Sequence, residues 1–106
     1  MSGLYGMQRA NGDWFALDDR GKFRVPVFRS SRDGMQARTH HTGMLLFKPV
    51  ELGAHELSEI APPKDVGDIY FWLVDNPFTN LSRGQSMDIA RLSLLVGNAA
   101  QPQIKL

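Results

Sequence analysis

The chain has 106 residues, 42% of them apolar and 22% charged, with a formal net charge of +1, the composition of a soluble globular protein with room for one core. A balance so close to neutral argues against partners recognised mainly by charge, so nucleic acid and anionic membrane are both disfavoured. The absence of cysteine excludes disulfides, thiolate metal sites and thiol nucleophiles, and fits a cytoplasmic setting.

We expect a single domain over residues 1–106, with an ordered core over about 4–97 and a C-terminal tail over 98–106. The opening Met1-Ser2-Gly3-Leu4-Tyr5-Gly6-Met7 lacks the basic and apolar regions of a secretory signal, and no run of about 18 apolar residues is present to span a membrane. Charge is uneven: residues 1–50 hold eight Lys+Arg against four Asp+Glu, while residues 51–106 hold four against seven. The first half is thus +4 and the second −3.

In chain order, Leu4 to Gln8 reads as a strand, and Asn11-Gly12 supplies a tight hairpin turn into a second strand from Asp13 to Leu17. After the turn cluster Asp18-Asp19-Arg20-Gly21, a third strand alternates Phe23, Val25 and Val27 with Lys22, Arg24 and Pro26. The opening third is therefore predicted to be a three-stranded antiparallel meander. Ser30 followed by Asp33 predicts a helix N-terminus, the helix running to about Thr42 with Gly43 beyond its end. Met44 to Val50 reads as a fourth strand, Ala54 to Ile60 as a short helix stopped by Pro62-Pro63, and Ile69 to Val74 as a strand buried on both faces. A loop from Asp75 to Gln85 follows, and Ser86 is the expected cap of a last helix from Met87 to about Val96, stopped by Gly97. The order β-β-β-α-β-α-β-α predicts an α+β fold: a five-stranded, mainly antiparallel sheet with its helices packed mainly on one face.

No catalytic, metal or cofactor motif stands out. Adjacent His40 and His41 point about 100° apart on a helix, so with His55 they read as surface or helix-end histidines rather than a metal site. Asp18-Asp19 reads as a turn former, and the serines as caps or solvent-exposed groups. Lys22, Arg24, Arg29 and Arg32, with Trp14 or Phe28 near them, could form a platform for single-stranded nucleic acid, although a solvated sheet face explains the same residues. The loop from Asp75 to Gln85 is the main candidate site. It is long for a connection and carries Asp75, Asn76, Phe78, Asn80 and Arg83, a mixture suited to recognising a partner; the alternative is an irregular linker with Phe78 and Leu81 tucked into the core. Arg24 and Arg29 complete the candidate set.

Gly12-Asp13-Trp14-Phe15-Ala16-Leu17-Asp18-Asp19, Val25-Pro26-Val27-Phe28, Phe47-Lys48-Pro49-Val50-Glu51-Leu52 and the closing Asp75-Asn76-Pro77 resemble a class of small bacterial domains of uncharacterised function. The Val-Pro-Val-Phe-x-Ser segment is also similar to the start of SseB-like N-terminal domains. These motifs are structural, so the resemblance assigns no functional residue. The reading that follows is a non-enzymatic module that binds another protein or itself as a homodimer. The alternatives are a small enzyme or ligand-binding domain using the 75–85 loop with Arg29 or His55, and weak nucleic-acid binding through the basic strand face.

Overall fold

Two apolar strands, β3 (Lys22–Val27) and β5 (Ile69–Val74), lie parallel at the centre of the structure, a computed structural model that describes residues 3–61, 68–78 and 81–100. β2 (Leu17–Asp19) joins the outer edge of β3 and β6 (Gly84–Met87) that of β5, both antiparallel, giving a sheet of order β2-β3-β5-β6. β1 (Tyr5–Arg9) pairs separately with β4 (Phe47–Glu51), antiparallel, in a two-stranded sheet. Three helices complete the described α+β fold: α1 (Ser31–His40), α2 (Ala54–Ile60) and α3 (Ile89–Ala100). The expected single five-stranded sheet is therefore corrected to sheets of four and two strands.

Side chains alternate along a strand, so the register of β3 on β5 sorts the core into two layers. Phe23, Val25 and Val27 lie opposite Ile69, Phe71 and Leu73, and Met87 of β6 lies opposite Phe71. Leu57 and Ile60 of α2 and Leu92 and Val96 of α3 cover this face. The other face carries Trp72 and Val74, packed with Met7, Phe28, Ala37 and Met44 in a second core. α1 belongs to that second layer, set against β1 and β4 with its small residues Gly34 and Ala37 buried. Two of the three helices, α2 and α3, thus cover one side of the four-stranded sheet, and α1 lies in the other layer.

The predicted meander fails at its middle strand. Asn11-Gly12 does turn the chain: the Gly12 N–H donates to the Arg9 carbonyl at 2.9 Å, and the Phe15 N–H to that of Met7 at 2.7 Å. Beyond Phe15 the chain leaves β1 and pairs with β3 instead, so Asp13 to Leu17 is a crossing between sheets rather than one strand. β2 then returns into β3 through Arg20 and Gly21, whose φ angles of 57° and 87° form a turn with both central residues left-handed, where glycine is unstrained.

Smaller corrections follow from capping and pairing. Ser30 caps α1 as expected, its Oγ accepting the Asp33 N–H at 3.0 Å, but the helix ends at His40 and a 3-10 turn occupies Thr42–Met44. The fourth strand consequently starts at Phe47, not Met44. Ser86 lies within β6; α3 is capped by Asp88, whose Oδ1 accepts the Arg91 N–H at 2.8 Å, and continues past Gly97 to Ala100. The predicted stop at Pro62-Pro63 and tail residues 101–106 lie outside the described residues. Among the described residues, no helix is long and apolar enough to cross a membrane.

Candidate functional site

The loop between β5 and β6 spans Asp75 to Arg83, and its described residues, 75–78 and 81–83, are tied to the rest of the fold. Its base is closed by the Asp75 N–H donating to the Arg83 carbonyl at 3.0 Å, which extends the β5–β6 ladder by one pair. Pro77 and Leu81 turn inward and are buried, whereas Phe78 is 58% exposed. The sequence alternative that tucked both Phe78 and Leu81 into the core therefore holds for Leu81 alone.

Local hydrogen bonding explains why the aromatic ring stands outside. The Asn76 Oδ1 accepts the Phe78 N–H at 2.8 Å, a side-chain turn that fixes the backbone leading into the ring. The ring packs edge-on against His40 at the end of α1, with centroids 5.5 Å apart. Leu81 adopts φ 68°, unusual for a bulky residue, and its burial holds that conformation in place. Arg29, just after β3, donates to the Asp75 carboxylate at 3.2 Å across 46 residues of chain. Both side chains are about half exposed, so the pair orients the loop base and contributes only about 0–1 kcal/mol.

Four predicted site residues, Asp75, Asn76, Phe78 and Arg83, thus gather at one end of the molecule with Arg29. Asn80 lies outside the described residues. Gln85, expected in the loop, stands in β6. The 3-10 turn that continues from α1 leads into Leu45 and Leu46, which are 55% and 76% exposed, so the same region of chain carries further apolar surface.

Arg24 occupies another place. It stands opposite Tyr70 near the start of β5, away from the loop at that strand's far end, with its guanidinium 5.0 Å from the centroid of the Trp72 ring. Beside it the Tyr70 hydroxyl donates to the Asp19 carboxylate, reaching across β3. That bond, with burial and the Asp19 charge, raises the Tyr70 pKa above its ordinary value. The three histidines also separate: His40 meets Phe78, His41 packs edge-on to Phe15, and His55 lies 3.0 Å from Glu59.

A cleft of about 360 Å³ opens elsewhere, against β3 and the C-terminal end of α2. It draws on residues 12–14, 16, 23, 25, 59–60 and 69, from segments joined only by the fold, so no local sequence pattern announces it. Comparisons with protein-family models, curated proteins and solved structures returned no match to the chain.

Proposed function

We propose that this chain is a non-enzymatic, cytoplasmic protein–protein interaction module of the small bacterial class its sequence resembles. It docks another protein, or a second copy of itself, through the end formed by the Asp75–Arg83 loop and the C-terminal end of α1. The observation that carries this reading is the exposed Phe78 ring, held outward by Asn76 and backed by His40. A ring ordered before binding loses little further entropy on docking, and aromatic residues so placed are the usual anchors of interfaces. Arg83 is exposed at the base of the same loop, and its guanidinium bonds no other side chain among the described residues, which leaves it available to a partner carboxylate.

The test is a pull-down with the intact chain against Phe78→Ala and Arg83→Ala, with folding checked by circular dichroism and a size-exclusion run for self-association. The substitutions are expected to remove the captured partner, or the dimer, while leaving the fold unchanged. Unchanged capture and oligomeric state in folded variants contradict the proposal.

A further inference from the structure

The cleft against β3 and α2 has a lining of consistent chemistry. Trp14, Phe23, Val25 and Ile60 form its walls, Asp13 and Glu59 supply its carboxylates, and among the described residues neither lysine nor arginine lines it. Phe23 sits on a regular strand, opposite Ile69 on β5 and across from Asp18 on β2, yet its ring is 50% exposed. An aromatic side chain left in solvent beside a recess makes the recess a better candidate for a ligand than a packing gap.

Both carboxylates at the cleft have a neighbour that orients them, Asp13 the Arg9 guanidinium and Glu59 the His55 ring. The Asp13 carboxylate accepts from Arg9 at 2.8 Å and from Asn11 at 3.1 Å, and these bonds hold its carboxyl below the usual carboxylate range, so it is ionised at neutral pH. Arg9 itself stacks 5.6 Å from the centroid of the Phe47 ring, outside the cleft lining. Glu59 lies 3.0 Å from His55, one turn earlier on α2.

From the cavity, its aromatic walls and its carboxylates we infer that the cleft binds a small organic cation, an ammonium group attached to an apolar body. Ring faces attract such a cation through their negative π surface, and Asp13 and Glu59 stabilise its charge, while the apolar walls take up its alkyl groups. The cleft is of the size used by small ligands. The same chemistry is offered by a free quaternary amine and by a methylated lysine side chain. This site lies at the start of β5, whereas the docking loop leaves that strand's end, so the two inferences stand or fall separately.

The probe is choline, compared with its uncharged isostere 3,3-dimethyl-1-butanol, in titrations of 15N-labelled protein followed at the indole N–H resonances of both tryptophans. Choline is expected to move the Trp14 resonance saturably and leave that of Trp72 in place. The neutral isostere, and choline with the Glu59→Gln or Phe23→Ala variant, should bind about fivefold more weakly. A trimethyllysine peptide that competes at lower concentration than choline assigns the cation to a protein side chain; one that binds no better assigns it to a free amine. Equal binding of choline and its isostere, wild-type binding by both variants, or no Trp14 shift at millimolar choline overturns the inference.

Discussion

Tyr70 and Asp19 sit on strands that are not neighbours, and their hydrogen bond ties β5 to β2 across β3. Because Asp19 accepts the phenolic proton, the native state holds that proton more tightly than the unfolded chain does, and the pKa rises above its ordinary 10.0. The bond's contribution is therefore fully present below about pH 10 and is lost as pH rises through the folded-state pKa. Tyr70→Phe is expected to cost about 1 kcal/mol at neutral pH and to remove part of the alkaline decline in stability. Urea denaturation from neutral pH to about pH 11 measures both; an unaltered alkaline decline in the variant contradicts the assignment. Within the loop, the buried Leu81 and the exposed Phe78 separate support from the recognition proposed for the ring. Leu81→Ala empties a buried site and should cost about 2–3 kcal/mol, while Phe78→Ala should change stability by less than about 0.5 kcal/mol. Comparable losses from the two variants would place Phe78 in the core rather than at an interface.

β6 is the element that sequence reasoning missed, and its composition explains why. Gly84-Gln85-Ser86-Met87 has no alternation of apolar residues and little strand propensity; it is a strand because β5 supplies its hydrogen bonds and Trp72 lies over it. Gly84 makes that approach possible, since a Cβ there would meet the Leu73 carbonyl oxygen and lie 2.7 Å from the Trp72 indole Nε1. Gly84→Ala is accordingly expected to destabilise the fold by about 2 kcal/mol and to shift Trp72 fluorescence, both measured by chemical denaturation. Wild-type stability would show that β6 yields without consequence. β3, β5 and α2 were legible to the residue, because each carries its own alternation or apolar spacing between turn signals or a helix stop. The crossing at Asp13–Leu17 was not legible: its pattern suits a strand, and only the competing claims of β1 and β3 decide where pairing changes.

At the scale of the molecule, the two recessed or projecting surfaces lie at opposite ends of β5, the aromatic strand whose sequence marks the core most clearly. The loop end was readable as a candidate because its residues are contiguous, although which of its apolar side chains faces solvent depended on the Asn76 turn and on Leu81 entering the core. The cleft was unreadable because its walls are assembled from four separate segments. Basic residues predominate in the half of the chain that contains α1, and Arg29 brings part of that charge to the base of the loop, where Asp75 neutralises it locally. The proposed docking end is thus an exposed aromatic ring bordered by mixed charge, an arrangement compatible with an interface core and its polar rim. The most direct test replaces Phe78 with photoreactive p-benzoylphenylalanine in living cells and compares it with the same replacement at the exposed Asp18, at the far end of the sheet. A discrete cross-linked adduct from Phe78 and none from Asp18 is the expected result; no adduct from Phe78, or the same adduct from both positions, contradicts docking through this end.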